Sequence, residues 1–335
     1  MTYRANQYTY RAATLEDLPR LSALDAAHTR HATGKAQRTE NEIAIEWKAP
    51  YFDLSRDSQV AVMPDGAIVG WVELYDMPPH VRMPTRLRVA PEISREPITA
   101  TLIQWCKERA RASLRKAPAG ARITLTQSAY SADQTLLDGL KQEGFTYVRS
   151  FHRMRIDLEH ESAVPVWPEG VLVRPFVKGQ DDRPAVEAIR EFFQDHWGYV
   201  ETPLEEDLEE WRQWIYEDED FDTDLWFLAI ADDQIVGLCQ CYPRCGEDTA
   251  TALVDELGVR KDWRRRGLGM ALLLHAFDAF SQRGFTGAEL GVDSESLTGA
   301  TRVYERAGMS RLWESRVHEF EIRPGEERST TDADT

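Results

Sequence analysis

The sequence predicts a mixed α/β protein made of two tandem copies of one strand-and-helix plan. The length of 335 residues suits two domains of ordinary size, each able to bury its own core. A weak internal repeat supports this division, because an apolar strand followed by a helix-like segment opens the chain at 8–12 and recurs at 171–175. Each half also carries one long segment with apolar residues at helical spacing.

Each half continues with a β-hairpin, in which two apolar strands flank turn-forming residues. The first hairpin joins 60–62 to 68–72 through Pro64-Asp65-Gly66, and the second joins 227–230 to 235–239 through Asp232-Asp233. A strand, a long helix, a strand, a shorter helix and a final strand pair follow in each copy.

The long helices are predicted at 98–114 and 268–282. In the second, one face carries Leu272, Leu273, Ala276, Phe277 and Phe280, which is the spacing of a buried stripe. The shorter helices end at Gly144 and Gly308, where a helix favours a left-handed residue after its last turn.

These elements predict an N-terminal domain at 1–158 and a C-terminal domain at 171–322. Residues 159–170 contain prolines and charges that mark a linker. Residues 323–335 are polar without apolar periodicity, so we expect a disordered tail.

Composition narrows the class of protein. A formal net charge of −17 argues against binding to a nucleic-acid backbone, which needs clustered lysine and arginine. It slightly favours a cationic partner such as an amine, although a solvated acidic surface is the simpler interpretation. No apolar run approaches the length of a membrane span, and the N-terminus has no apolar signal segment. We therefore expect a cytoplasmic protein without membrane or nucleic-acid partners.

The cysteines do not predict a metal site. Cys239, Cys241 and Cys245 form C-x-C-x3-C, which differs from the C-x2-C spacing of common zinc sites. Cys239 and Cys241 share one face of a predicted strand, where buried packing is the simpler interpretation.

A basic, glycine-bearing loop between a strand and a helix is the main candidate binding site. It reads Arg264-Arg265-Arg266-Gly267-Leu268-Gly269 and follows a strand ending at Val259. Backbone N–H groups and the positive end of a helix favour an anion there, and glycines permit close approach. The residues alone leave a plain strand-to-helix turn equally open.

This loop resembles motif A of the GNAT (GCN5-related) N-acetyltransferases. The later segment Ala300-Thr301-Arg302-Val303-Tyr304-Glu305-Arg306-Ala307-Gly308-Met309 resembles the A-x-x-x-Y-E-x-x-G-F ending of that family. The resemblance covers 171–322 well and 8–158 more faintly. Tandem copies with a degenerate first half resemble the mycothiol synthase group.

The resemblance implies a fold and an activity. Each domain would have a mixed, mostly antiparallel central sheet flanked by helices. The C-terminal domain would move an acetyl group from acetyl-CoA, as cosubstrate and without a metal, to a primary amine of a small molecule.

The resemblance also implies roles for individual residues. The backbone of Arg264, Arg265, Arg266, Gly267, Leu268, Gly269 and Met270 would bind the CoA pyrophosphate, and the strand residues Leu257, Gly258 and Val259 would pair with the pantetheine arm. Tyr304 would protonate the departing thiolate as general acid. Ser296 would stand where many relatives have an asparagine that contacts the pantetheine arm.

The base and the acceptor residues are less defined. An ammonium group must lose a proton before it attacks, and Glu256 is the candidate base. Strand alternation leaves Asp255 open as the alternative, and a water relay remains a third. His196 and Trp197 are candidate substrate contacts, although they could equally be a helix end packed on the domain.

The first copy lacks the same features. Aligning Val89 with Val259 places Pro97 and Thr99 where the second copy has Gly267 and Gly269, and Leu140 falls at the position of Tyr304. Proline removes an N–H donor and threonine adds bulk, so we expect no productive CoA binding in this copy.

A second function remains open on the sequence: a catalytically inactive module that binds CoA or a protein. A tandem chain has less need of a second subunit, so we expect a monomer or a weak homodimer.

Overall fold

A computed structural model describes residues 8–158, 163–296 and 299–331. The first four residues of the predicted linker and the last four of the predicted tail lie outside the described residues. The chain divides into two compact units: unit 1 contains Met1–Ser150 and Glu314–Arg328, and unit 2 contains Phe151–Trp313 and Ser329–Thr335.

Unit 1 is built on a mostly antiparallel sheet. Its helices are α1 (Leu18–Thr33), α2 (Glu40–Glu46), α3 (Leu54–Asp57), α4 (Glu96–Ala112) and α5 (Gln134–Gln142), and its first strands are β1 (Thr9–Arg11), β2 (Ser58–Val62), β3 (Ile68–Leu74), β4 (Arg82–Val89) and β5 (Ile123–Tyr130). Strands β1 to β4 pair antiparallel in sequence order, and β4 pairs parallel with β5. Helix α4 buries Ile98, Leu102 and Cys106 in the core of this unit.

Unit 2 repeats this plan. Its helices are α6 (Asp182–Phe193), α7 (Leu204–Glu217), α8 (Leu268–Gln282) and α9 (Ala300–Arg306), and its strands include β7 (Leu172–Pro175), β8 (Trp226–Ala231), β9 (Gln234–Tyr242), β10 (Thr251–Val259) and β11 (Gly287–Asp293). Strands β7 to β10 pair antiparallel, and β10 pairs parallel with β11. The predicted mixed, mostly antiparallel sheet flanked by helices is therefore confirmed.

Several sequence predictions of local structure are also confirmed. Both hairpins form. Helix α8 has the predicted bounds, and Leu272, Phe277 and Phe280 of its predicted apolar face are fully buried. Gly144 and Gly308 follow α5 and α9 with φ of 81° and 95°, a left-handed conformation that costs glycine little. Helix α4 begins two residues before its predicted start.

The two remaining strands differ from the predicted domain boundaries at 158 and 322. Strand β6 (Thr146–Asp157) passes from unit 1 into unit 2 after Ser150, and its residues Phe151–Asp157 pair antiparallel with β11. Strand β12 (Ser310–Arg323) pairs antiparallel with β5, which assigns most of it to unit 1. The last strand of each sequence repeat thus pairs within the sheet of the other unit, an exchange that strand order along the chain does not reveal.

The C-terminal tail also differs from the expected disorder in the part that the structure describes. The Glu326 N–H donates to Gly120 O at 2.8 Å, and the Arg122 N–H donates to Glu326 O at 2.8 Å. Within unit 2, Thr330 N–H donates to Tyr199 O at 2.8 Å. These backbone bonds hold a segment whose side chains show no apolar pattern.

Across the described ranges, the structure contains no helix that is both long and apolar enough to cross a membrane.

Candidate functional site

A cleft opens in unit 2 where two parallel strands separate. Strands β10 and β11 pair from Thr251 and Gly287 to Val254 and Leu290, and the described pairing ends there. Beyond this point the remaining residues of both strands line a cavity of about 710 Å³. That volume lies in the range of small-molecule sites.

An irregularity in β10 accompanies this opening. The register with β9 shifts between Val254, opposite Cys241, and Glu256, opposite Gln240, so Asp255 is an extra residue in the strand. A bulge of this kind bends a strand and redirects its side chains. It explains why alternation could not decide between Asp255 and Glu256: both line the larger cavity.

The basic loop lies at one end of the larger cavity. Arg265 and Gly267 adopt positive φ of 62° and 89°, and α8 begins directly after Gly267. The first N–H groups of a helix have no partner within the helix, and they carry its partial positive charge. The loop therefore offers backbone donors and a positive helix end to an anion.

The packing of the protein would tolerate a side chain at Gly269. A Cβ built there would lie 3.6 Å from Cγ2 of Val259, an ordinary contact, so packing does not explain the absence of a side chain. Gly267 differs, because its positive φ disfavours other residues although a Cβ there would meet nothing within 4 Å. The absence of a side chain at Gly269 thus leaves open space in the cavity beside the start of α8.

The Arg264 side chain makes its hydrogen bonds to other residues of the protein. Its Nη2 donates to Phe192 O at 2.7 Å and to Asp195 Oδ1 at 3.1 Å, and its Nε donates to Val259 O at 3.1 Å. These bonds join the loop to the end of α6 and to the end of β10. Burial acts to raise the pKa of Asp195, but the hydrogen bond and the positive charge of Arg264 together hold it below its usual value.

Most of the predicted cofactor residues line the larger cavity, and two do not. The lining includes Glu256, Leu257, Gly258, Val259, Arg264, Arg265, Gly267, Gly269, Met270, Ser296 and Tyr304. Leu268 is buried in the core at 1% exposure, and the Arg266 guanidinium lies 5.0 Å from the centre of the Trp263 ring. Arg306, which sequence reasoning missed, is a third arginine in the lining beside Arg264 and Arg265.

Tyr304 lies on α9 with its side chain almost fully buried. Burial raises the pKa of its hydroxyl, and the nearby Cys239 and Glu256 raise it further. The hydroxyl is therefore protonated at neutral pH, which is the state that a general acid needs. Ser296 follows β11 at the same cavity.

The pKa values of both carboxyl groups of β10, on Asp255 and Glu256, are raised in this cleft. Desolvation raises the pKa of Glu256 to about 8, and the neighbouring Asp255 contributes to the rise. The Asp255 side chain is exposed to the cleft. The protein atoms around its carboxyl group still displace water, and this desolvation raises the pKa of Asp255 also. A carboxyl group with a pKa near the working pH is suited to proton transfer.

A smaller cavity of about 420 Å³ adjoins the same residues. Its lining contains Val186, Ile189, Arg190, Phe193, His196, Trp197, Gly198, Tyr199, Asp207, Trp211 and Glu256. Phe193, His196 and Glu256 line both cavities, so the two meet at these side chains. Both predicted substrate residues are in this set: His196 lines both cavities and Trp197 lines the smaller one.

Sequence reasoning missed the contribution of α7 to the smaller cavity. Asp207 and Trp211 lie on that helix, and its apolar spacing at Leu208, Trp211 and Ile215 is the signal that could have identified its inner face. The loop before α7 is held by the tail: Gly198 N–H donates to Thr330 O at 2.8 Å, and Thr330 Oγ1 donates to Gln194 O at 2.9 Å.

The corresponding position in unit 1 holds a buried ion cluster. His28 Nδ1 lies 3.1 Å from Val89 O at the end of β4, and His28 Nε2 lies 3.4 Å from Asp133 Oδ2. Asp133 also accepts from Arg95 at 2.9 Å and caps α5. Side chains thus connect α1, β4, α5 and the start of α4, where unit 2 has its basic loop and larger cavity.

The four cysteines, all within the described ranges, are buried and are not joined in disulfides. Cys239 and Cys241 are buried with their sulfur atoms 3.6 Å apart. In the part of the chain that the structure describes, no group of three or more histidine, cysteine, aspartate or glutamate side chains could hold a metal ion.

Comparisons with known proteins agree with the fold. Residues 186–309 match the model of the acetyltransferase (GNAT) family. The mycothiol acetyltransferase of Streptomyces scabiei is 32% identical over 204 residues, which is 60% of this chain and 62% of that protein. The chain spans less than two thirds of the length of the first three curated relatives that it matches.

Solved structures match over nearly the whole chain. A GCN5-related N-acetyltransferase from Sphaerobacter thermophilus has a TM-score of 0.79 and 31% identity, covering 97% of this chain and 99% of that one. A tandem GNAT protein from the clavulanic acid biosynthesis pathway has a TM-score of 0.71 at 16% identity, covering 96% and 100%, and so shares the fold. The chain therefore belongs to the GCN5-related N-acetyltransferase (GNAT) family, in its tandem form.

Proposed function

We propose that this protein transfers the acetyl group of acetyl-CoA to a primary amine of a small molecule, in the cleft of unit 2. One observation carries the proposal: Glu256 lines both the larger cavity, with its basic loop and Tyr304, and the smaller aromatic cavity. In this arrangement the donor occupies the larger cavity and the acceptor the smaller one, and the reacting atoms meet at Glu256.

The larger cavity has the features that acetyl-CoA requires. The pyrophosphate would take N–H donors from the backbone between Arg264 and Met270, with Arg265 and Arg306 supplying positive charge near it. The pantetheine arm would run along Leu257, Gly258 and Val259, since the described pairing of β10 with β11 ends before these residues.

The chemistry divides between two residues. Glu256, as carboxylate, accepts one proton from the ammonium group, and the free amine nitrogen then forms a bond to the acetyl carbonyl carbon while the carbon–sulfur bond breaks. Tyr304 donates its hydroxyl proton to the departing sulfur. A second proton lost from the new amide nitrogen replaces the one that Tyr304 gave, and Glu256 releases the first proton to solvent.

A small-molecule acceptor is supported by the named relatives. The matched curated proteins are mycothiol acetyltransferases, whose name describes a small metabolite. The smaller cavity is lined by α6, α7, the loop between them and Glu256 of β10, and its volume suits a molecule of that scale.

The test is a calorimetric titration with acetyl-CoA followed by thiol-release assays over a panel of primary amines. We expect binding, thiol release with some amines, and loss of turnover in Glu256→Gln and Tyr304→Phe. A drop of about 10²-fold or more in kcat is the usual effect of removing a general acid or base. Tyr216→Phe, on the exposed part of α7, is the matched control for the tyrosine change.

The outcomes separate the competing functions. Acetyl-CoA binding without thiol release for any amine would favour an inactive CoA-binding module. No binding at all would overturn the assignment of the basic loop. An unchanged kcat in Tyr304→Phe would remove that residue from the mechanism while leaving the activity in place.

A further inference from the structure

We propose that the smaller cavity selects a primary amine carried on a flat apolar body, such as an arylalkylamine, over amino sugars and amino acids. This inference rests on the proposed function, because it concerns the acceptor of the same reaction. It is carried by the side chains that line the cavity and by how their charges are already paired.

The walls of the smaller cavity are mainly aromatic and aliphatic. Four rings and two branched chains surround it: Phe193, Trp197, Tyr199, Trp211, Val186 and Ile189. Aromatic walls favour a planar apolar ligand through burial and ring stacking. The hydroxyl groups of a sugar would lose their hydration against such walls without enough partners to replace it.

One of these rings is packed against other rings before any ligand arrives, and the backbone of a second residue is hydrogen-bonded. Trp211 packs edge-on to Phe176 at 5.6 Å and tilted against Trp226 at 5.7 Å between ring centres. The Tyr199 backbone is held by the Thr330 N–H. A ring packed like that of Trp211 loses little entropy when it binds a ligand.

Arg190, the arginine in the lining of the smaller cavity, already bonds to other residues of the protein. Arg190 bonds to the Asp207 carboxylate and donates to Thr202 O at 2.8 Å. A ligand carboxylate would therefore have to compete with Asp207 for this guanidinium. Burial lowers the pKa of His196, so the imidazole is neutral at pH 7 and supplies no positive charge either.

Glu256, at the junction of the two cavities, is the remaining ionisable group, and the reaction requires it as the carboxylate. It favours a cationic ammonium group there and disfavours an anion beside it. An amine joined to an aromatic ring by a short chain satisfies both requirements, with its nitrogen at Glu256 and its ring between the aromatic walls. An amino acid would add a carboxylate close to Glu256.

The experiment compares five amines as acceptors at saturating acetyl-CoA: tryptamine, tryptophan, glucosamine, spermidine and ethylamine. We expect kcat/KM for tryptamine to exceed that for tryptophan and glucosamine by at least about tenfold, since one additional unfavourable polar contact costs roughly that factor. Tryptamine and tryptophan differ only in the carboxylate, so this pair isolates the effect of charge.

A variant links the preference to the walls. Trp197→Ala should lower kcat/KM for tryptamine about tenfold or more and change that for ethylamine less than threefold, because ethylamine has no ring to contact the wall. A purely structural effect would lower both equally. Tyr216→Ala, exposed on α7, is the matched control, and Tyr199→Ala is a second wall variant if Trp197→Ala fails to fold.

The results distinguish this inference from the proposed function. Turnover with glucosamine, spermidine or tryptophan at or above the rate with tryptamine would overturn the aromatic preference and leave the acetyltransferase in place. Equal losses for tryptamine and ethylamine in both wall variants would also overturn it. Thiol release with none of the amines, despite acetyl-CoA binding, would overturn both.

Discussion

The Arg264 guanidinium bonds to the carboxylate of Asp195, and this pair ties the start of the basic loop to the residues after α6. Both side chains are about four-fifths buried, at 20% and 21% exposure. The same guanidinium donates to the carbonyl oxygens of Phe192 and Val259. Arg264 therefore fixes where the backbone donors of the loop lie, and its charge is neutralised by Asp195.

Asp195→Asn should weaken acetyl-CoA binding because it removes the charged partner that holds Arg264. We expect the dissociation constant to rise about tenfold, which corresponds to about 1.4 kcal/mol, and the melting temperature to fall by a few degrees. Calorimetric titration and thermal unfolding measure the two effects.

The control is Asp262→Asn, in the same segment of the chain. Asp262 pairs with Arg260 at 2.8 Å but is 62% exposed, and exposed ion pairs contribute little to stability. Equal effects of the two substitutions would show that the Arg264–Asp195 pair has no special role in positioning the loop.

The activity should depend on pH through Glu256. Its raised pKa of about 8 means that the group is mostly protonated at pH 7, and only the carboxylate can accept a proton. We expect kcat/KM to rise with pH and to level off above about pH 8, apart from any contribution of the amine itself. Glu256→Gln should abolish this rise.

Asp255→Asn gives the same prediction a second test. The Asp255 charge contributes to the raised pKa of Glu256, so its removal should move the midpoint of the profile to lower pH. Initial rates between pH 6 and 9.5 measure this midpoint. A shift to higher pH, or none, would mean that Asp255 does not act on the base.

The general fold was predictable because its signals are local. Alternating apolar strands, turn residues between them and the amphipathic pattern of α8 each lie within one short segment, and burial of one face fixes each element. The basic loop was predictable for the same reason, since Arg264–Gly269 forms a continuous motif between β10 and α8.

The exchange of strands and the second cavity were not predictable in this way. Both β6 and β12 are long apolar-patterned strands, and nothing in either sequence says which sheet edge it joins. The bulge at Asp255 has no residue signature that distinguishes it from regular strand. The smaller cavity combines Glu256 with Arg190 and Trp211, which lie far apart in sequence and meet only through the tertiary fold.

Gly269→Ala should separate ligand binding from stability. The added Cβ would make an ordinary contact with Val259 at 3.6 Å, and alanine is favoured over glycine within a helix by about 0.5–1 kcal/mol. We therefore expect an unchanged or slightly higher melting temperature, with acetyl-CoA binding at least several-fold weaker because the methyl group occupies the edge of the anion site.

Gly267→Ala is the comparison for that variant. Its φ of 89° is costly for alanine, so this change should lower the melting temperature as well as the affinity. If Gly269→Ala binds acetyl-CoA as tightly as the unchanged protein, the phosphate does not approach α8 at that residue.

Unit 1 should bind no acetyl-CoA, so titration of the whole chain should give one equivalent. Pro97, in the first turn of α4, has no N–H to offer an anion. Burial lowers the pKa of His28 to about 4, so the side chain that lies between Val89 and Asp133 is neutral and adds no positive charge.

Asp133→Ala tests whether the ion cluster alone excludes the ligand from unit 1. This substitution removes the partner of Arg95 and of His28, yet it restores neither the missing N–H at Pro97 nor a tyrosine at Leu140. We therefore expect the stoichiometry to stay at one while the melting temperature falls. A second equivalent in the unchanged protein would contradict the prediction for unit 1. A second equivalent only in Asp133→Ala would show instead that the ion cluster, and not the loss of the glycine loop, is what closes this unit to CoA.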